Sequence, residues 1–234
     1  MTEPYTHYRY LLGTYEPGTS AVARKLLRPG MTAIDVGAHL GYYTRLFARC
    51  VGEQGRVNAF EPQPESFGIL VRNTKRLPHV RCLNMALLDQ QRDVVLLRDL
   101  HSARDRVSHV ADPQRQEGAA ITMEAVAMDD VLGEGVRPNL VKIDVEGSEL
   151  EVLRGMERLL NRSPDVALIV ECNPFTLAGN GLTPAQLLGL IQELGFEASI
   201  IVESTGRIEQ VASADELDPW LRQTKFVNLL CTRP

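Results

Sequence analysis

Two acidic stretches carry residue types and spacings that can do chemistry. The first is Asp35-Val36-Gly37-Ala38-His39-Leu40-Gly41. It follows a short apolar run, Thr32 to Val36. It precedes a segment, Gly41 to Cys50, in which Tyr43, Leu46, Phe47 and Cys50 recur at helical offsets. A strand-to-helix turn of this kind places a ligand beyond the carboxyl end of the strand. Gly37 lets the backbone pass close to that ligand, and Gly41 lets the helix start tight against it. The spacing is not the G-x-G-x-x-G of a dinucleotide site, and an acid just before the turn is unfavourable beside a pyrophosphate. It suits a ligand that carries an ammonium and a sulfonium and no phosphate, as S-adenosylmethionine (SAM) does. Asp35 would orient the loop or accept from the cationic amino group. Glu61, 24 residues after Gly37, ends a second apolar run and can accept from both ribose hydroxyls. A plain tight turn and a solvated loop carboxylate are the ordinary alternatives for the two signals taken singly.

The second stretch runs from Leu140 to Gly155 and includes Lys142-Ile143-Asp144-Val145-Glu146-Gly147-Ser148-Glu149. Methyl transfer from a sulfonium is an in-line displacement that depends on alignment and electrostatics. An alcohol acceptor must also lose a proton, to a base or with help from a metal. Asp144 and Glu146 stand where an acceptor would arrive, although acids at that place also stabilise a helix N-terminus. His39, His101 and His109 suit base chemistry near neutral pH, and each also fits a solvated loop. Asp144, Glu171 and Asn173 end neighbouring strands and offer hard oxygen ligands of the kind magnesium takes. Their positions resemble those of the magnesium ligands in catechol-type O-methyltransferases. The lysine that those enzymes carry three residues past the aspartate is Gly147 here.

The Lys142-to-Gly155 stretch resembles the signature of the FkbM family of methyltransferases, K-I-D-x-E-G-x-E with a leucine-rich helix and R-G after it. The resemblance extends to Tyr15-Glu16-Pro17, Asp35-Val36-Gly37-Ala38, Gly41-Tyr42-Tyr43, Phe60-Glu61-Pro62, Ala86 and Val170-Glu171-Cys172-Asn173. It implies a class I fold with SAM as cofactor and S-adenosylhomocysteine as product. It implies that Asp35, Gly37, Ala38 and Gly41, with Tyr42 beside them, line the methionine part. Glu61 and Pro62 would hold the ribose, and Asn84 and Ala86 would flank adenine. Asp144 would face the sulfonium, with Glu16 reaching in from the N-terminal side. It also implies a hydroxyl acceptor on a natural product, polyketide-like or sugar-like. His39 departs from the family, which more often has asparagine there, and Met128 stands where a leucine is usual.

The elements needed to hold these residues are legible along the chain. Strands are expected at Thr32–Val36, Arg56–Phe60, Val80–Met85, Leu140–Val145, Val166–Glu171, Ser199–Val202 and Phe226–Cys231, with an extra strand at Asp93–Leu97. Helices are expected at Thr19–Leu27, Gly41–Cys50, Pro64–Thr74 and Ser148–Leu160, and from Thr183 to Gly195. Capping boxes are expected at Ser148 and Thr183. The expected fold is α/β: a doubly wound, seven-stranded, mostly parallel sheet with an antiparallel edge hairpin made by the last two strands. One domain over residues 1–234 is expected, with 1–28 as an N-terminal cap and 98–120 as a loop or lid.

The composition, 44% apolar and 24% charged with a net charge of −5, is that of a globular protein without a basic field for nucleic acid. No apolar run reaches membrane-spanning length. Cys50, Cys82, Cys172 and Cys231 are far apart, which favours reduced thiols in a cytoplasm over disulfides or zinc. A monomer or homodimer acting on a small hydroxylated acceptor is expected. Tyr5, Tyr8 and Tyr10, Arg104, Arg106 and Arg115, and the Pro174–Gly181 loop are the candidates for its pocket, against dimer contact and solvated loop as alternatives. A nicotinamide oxidoreductase and a non-catalytic SAM-binding module are the competing functions.

Overall fold

The computed structural model describes residues 15–98, 105–108 and 120–234. The elements are α1 (Pro17–Leu26), β1 (Thr32–Val36), α2 (Tyr42–Val51), β2 (Arg56–Phe60), α3 (Pro64–Thr74), β3 (Val80–Leu83) and β4 (Ala86–Leu88). They continue with β5 (Arg92–Arg98), β6 (Asp105–Ser108), β7 (Ala120–Ala127), α4 (Met128–Val131), β8 (Leu140–Ile143), α5 (Glu149–Arg154) and α6 (Glu157–Asn161). The remainder are β9 (Ala167–Cys172), α7 (Pro174–Gly179), α8 (Pro184–Glu193), β10 (Glu197–Val202), β11 (Arg207–Val211), α9 (Ala214–Thr224) and β12 (Val227–Thr232).

The main sheet has eight strands in the order β11-β10-β12-β9-β8-β1-β2-β3. Its centre is parallel: β1 pairs with β2 on one side and β8 on the other, and β8 pairs with β9. Every residue of β8 and β9 is buried, as expected of parallel strands covered on both faces. The strand order reverses at β1, so a crevice opens beyond the carboxyl ends of β1 and β8.

The sheet departs from the sequence expectation in ways that have physical causes. It has eight strands rather than seven, and a second sheet, β4-β7-β5-β6, stands beside it. The expected Val80–Met85 strand ends at Leu83, and Ala86–Leu88 leaves to pair with β7. Asp93–Leu97 is a strand, but of this second sheet. Within the expected 98–120 lid, Arg98 closes β5, Asp105–Ser108 forms β6 against it, and Ala120 opens β7; the rest of the lid, and Tyr5, Tyr8 and Tyr10, lie outside the described residues. The last two expected strands do pair antiparallel, yet β12 sits between β9 and β10, and the edge hairpin is β10–β11. Helix α9 was hidden by Pro219 inside it, a residue that ordinarily ends a helix.

The expected Ser148–Leu160 helix is two short helices. Between them a Cβ on Gly155 would stand 1.9 Å from the Leu88 carbonyl oxygen, so the second sheet is seated where the helix breaks. The capping box at Ser148 does not form; Glu149 bends back instead, and its Oε1 accepts from Val145 N and Gly147 N. The box at Thr183 and Gln186 does form. Pro174–Gly181, expected as loop, contains α7, which Asn173 caps.

Helix α1 packs on α2 and β10. Its N-terminus has no cap from its own Glu16. Glu203, at the end of β10, takes that place, with Oε2 accepting from Gly18 N at 2.9 Å and Oε1 from the Thr19 hydroxyl. A carboxylate there satisfies orphan amides and complements the helix dipole.

Candidate active site

The loop after β1 is built from left-handed backbone: Gly37 at φ 80°, His39 at 49° and Gly41 at 89°. Gly37 N and Ala38 N donate to the Phe60 carbonyl at 3.0 and 2.9 Å, and Asp144 N donates to Val36 O at 3.0 Å. A Cβ on Gly37 would lie 1.8 Å from Asp144 O. The exits of β1, β2 and β8 are thereby locked edge to edge, with space for backbone alone. Asp35 is 1% exposed, and its Oδ2 accepts from Thr44 Oγ1 at 2.5 Å. Burial pushes its carboxyl up to about 6, against the opposing pull of Lys142 and the Thr44 hydroxyl. Its contacts are those of a group that orients the loop.

Glu61 is buried, and both its oxygens face backbone amides: Oε2 accepts from His39 N at 2.7 Å and Oε1 from Gln63 N at 2.9 Å. A carboxylate has about four acceptor directions, the kind of acceptor a diol calls for. Asn84 Nδ2 donates to the carbonyls of Glu61 and Pro62, both at 2.8 Å, and holds that turn from outside. Ala86 is buried at the start of β4. His39 keeps a left-handed φ of 49°, a region in which histidine, like asparagine, is enriched.

Lys142 received no role from its sequence position, and the structure puts it at the centre. It is 2% exposed. Its Nζ lies 2.6 Å from Asp144 Oδ2 and 4.5 Å from the centre of the Tyr43 ring. Burial alone would lower its pKa, but Asp144, Glu16 and Asp35 outweigh that and raise it. The available signal was a lysine inside the apolar run Leu140-Val141-Lys142-Ile143, since a buried lysine is rare unless paired. Glu16 completes the cluster: its Oε2 accepts from the Tyr43 hydroxyl at 2.6 Å. Burial raises the Glu16 carboxyl while Lys142 pulls it down. Tyr42 closes the same wall, its hydroxyl donating to Tyr15 O at 3.0 Å and its ring standing edge-on to Tyr43.

Beyond Asp144 the site is acidic. Asp144, Glu146 and Glu171 each bring a carboxylate oxygen within 4.8 Å of the others. Glu146 adopts φ 54°, a strained conformation for a residue with a side chain and a frequent mark of functional turns. Glu171 is 5% exposed, and its Oε2 has no hydrogen-bond partner among the described residues. Burial, then the charges of Asp144 and Glu146, push its carboxyl well above the usual range. Asn173 Oδ1 accepts from Phe175 N at 3.2 Å as the cap of α7. Glu146 is the third acid of the cluster. His101, His109, Arg104 and Arg115 lie outside the described residues, and Arg106 falls on β6 opposite Leu97.

A switch-point glycine loop, an acid at the end of each flanking strand and a mixed sheet with an inserted antiparallel strand define a class I methyltransferase. More particularly, residues 35–227 match the family model described as the methyltransferase FkbM domain, and the chain belongs to the FkbM methyltransferase family. It is 32% identical over 177 residues to the hexuronic acid methyltransferase AglP of Haloferax volcanii, covering 71% of this chain and 63% of that protein. It is 26% identical over 198 residues to methyltransferase sdnD of Sordaria araneosa, covering 70% and 73%. The chain thus spans somewhat less than two thirds of the first relative's length. Among solved structures, methyltransferase FkbM of Methylobacillus flagellatus shares the fold at a TM-score of 0.54 and 13% identity, over 91% of this chain and 50% of that one. Among the described residues no helix is long and apolar enough to cross a membrane.

Proposed function

We propose that this chain transfers a methyl group from SAM to a hydroxyl oxygen of a sugar-like or polyketide-like small molecule. The observation that carries the reading is the stitching of the glycine loop to the acidic end of β8 through Gly37 and Asp144. A ligand lying on that loop meets the carboxylates at the crevice. The residues fit the cofactor: the turn at Gly37 admits no side chain, Glu61 offers a carboxylate to a diol, and among the described residues the acids of the crevice outnumber its buried cation, Lys142, which suits a sulfonium. SAM, when bound, supplies an electrophilic methyl group.

The chain's own part is alignment and charge. Gly37, Ala38, Gly41 and Tyr42 would border the methionine end, Glu61 and Pro62 would hold the ribose, and Asn84 and Ala86 would flank the adenine. Asp144, held 2.6 Å from Lys142 Nζ, would present its carboxylate toward the sulfonium. Glu146 takes the proton of the acceptor hydroxyl, with Asp144 next to it. Glu16 braces Lys142 through the Tyr43 wall. The sugar side of the reading rests on the relative named for hexuronic acid. A single methyltransferase unit is proposed over residues 1–234, with 1–28 as its N-terminal cap and 98–120 as an insertion. The free thiols of Cys172 and Cys231 support a reducing compartment, the cytoplasm.

A second reading is favoured by the orphaned oxygen of Glu171. Asp144, Glu146 and Glu171 would hold a magnesium-type ion, whose charge would acidify an acceptor hydroxyl. EDTA would then abolish turnover and magnesium restore it; full activity in EDTA sinks this reading and leaves Glu146 as base. The main reading is tested by calorimetry with SAM against NAD and by following S-adenosylhomocysteine with uronic acid glycosides and polyols as acceptors. SAM binding without turnover on any of them would leave a binding module, and NAD binding alone would overturn the assignment.

A further inference from the structure

A surface hollow of about 330 Å³ lies between α2 and α3, outside the glycine loop. It is lined by Arg45, Arg49, Arg72, Lys75 and Arg76, with Asn73 and Leu77, and by no acid. The chain as a whole carries a net charge of −5, so this concentration runs against the global balance. Elsewhere Arg92, Arg158, Arg162, Arg207 and Arg222 each stand against a carboxylate. None of the five cations in the hollow has an ion-pair partner among the described residues.

Helix dipoles account for part of the pattern only. Arg49 and Arg72 lie in the last turns of α2 and α3, where cations are favoured. Arg45 lies in the first half of α2, at the unfavourable end, and Arg76 lies past the end of α3. Arg45 and Arg49 are four apart on one face, where like charges repel. Two packed helices and the turn that follows α3 thus hold five cations together with no anion between them. Planar guanidinium groups match phosphate oxygens in a bidentate fork. Asn73 Nδ2 donates to Leu40 O at 2.7 Å, which ties the wall of the hollow to the cofactor loop.

We propose that this hollow binds a phosphate-bearing group, a phosphate ester or a diphosphate, presented by a soluble ligand or by a lipid headgroup. The site is separate from the acidic crevice, and its test does not depend on the methyltransferase reaction. Calorimetry with inorganic pyrophosphate at low salt, and sedimentation with phosphatidylcholine vesicles with and without phosphatidic acid, read the two sources. The variant Arg45→Ser/Arg72→Ser removes two cations from the hollow. The control Arg207→Ser/Arg222→Ser removes the same charge elsewhere. All four residues are exposed, so both variants keep the fold, which SAM binding verifies. The hollow variant is expected to weaken pyrophosphate or acidic-vesicle binding about tenfold, and the control to leave it unchanged. Equal losses in the two variants, or binding by neither pyrophosphate nor acidic vesicles, would overturn the proposal.

Discussion

Lys142 Nζ and Asp144 Oδ2 lie 2.6 Å apart at the mouth of the crevice, with the lysine 2% exposed and the aspartate side chain 21% exposed. The pair therefore has a buried end and a wet end. The lysine anchors it beneath the Tyr43 ring, and the aspartate presents the charge. Lys142→Met would leave Asp144, Glu16 and Asp35 without their shared cation. Removing one partner of a buried pair costs about 3–5 kcal/mol. Denaturant unfolding is expected to show a loss of that order, with methyl transfer lost as well; a stable, active K142M would show that the pair is dispensable.

Gly37 admits nothing larger than hydrogen. In Gly37→Ala the new methyl would meet Asp144 O and the backbone would keep a positive φ. The strands must part, so the expected result is loss of SAM binding together with a stability loss of about 3 kcal/mol or more. Thermal melts with and without SAM separate the two effects.

Glu61→Gln keeps the shape of the side chain and removes one acceptor oxygen that now serves His39 N or Gln63 N. Hydrogen bonds to a charged group contribute about 1.5–3 kcal/mol each, so SAM affinity is expected to fall about tenfold to a hundredfold. Unchanged affinity by calorimetry would remove Glu61 from the ribose site.

Glu171→Gln removes a buried carboxyl that has no hydrogen bond to its Oε2. The variant is expected to melt higher, by a gain of about 1–2 kcal/mol, while its turnover falls. That opposition would mark Glu171 as kept for function; a lower melting temperature would mark it as structural.

Asp35 sets a pH dependence. Its carboxyl is raised from an ordinary 3.8 to about 6, so between those values the folded chain binds more protons than the unfolded one. Stability from this group is full below about 4 and is lost as the pH rises through about 6, by about 3 kcal/mol at most. Melting temperatures from pH 4 to 8 are expected to fall over that window, and Asp35→Asn to flatten the fall. An unchanged slope in D35N would assign the dependence to other groups.

The parallel centre of the fold was legible because its signals are local. β1, β2 and α3 lie where apolar period, glycine and proline put them, and Thr183 caps α8 as its spacing requires. The second sheet was not legible: whether Ala86–Leu88 continues β3 or leaves it depends on β7, some forty residues on. The same holds for β12, whose place between β9 and β10 is a tertiary choice. In the site, Asp35, Glu61, Asp144 and Glu146 could be read from position in a turn. Lys142 carried only the signal of a charge inside an apolar run, because the surroundings that pair it include Glu16, more than a hundred residues away, and Tyr43.

Glu203 seats the helix that follows Glu16, and β10, which Glu203 directly follows, joins the sheet through β12. Glu16 is translated before every other acid of the crevice, yet strands translated after all of them hold it in place. On a ribosome the glycine loop and the Lys142–Asp144 pair can assemble while α1 still waits for β12. The first acid of the crevice therefore shares its support between an early partner, Tyr43, and the last strands of the sheet.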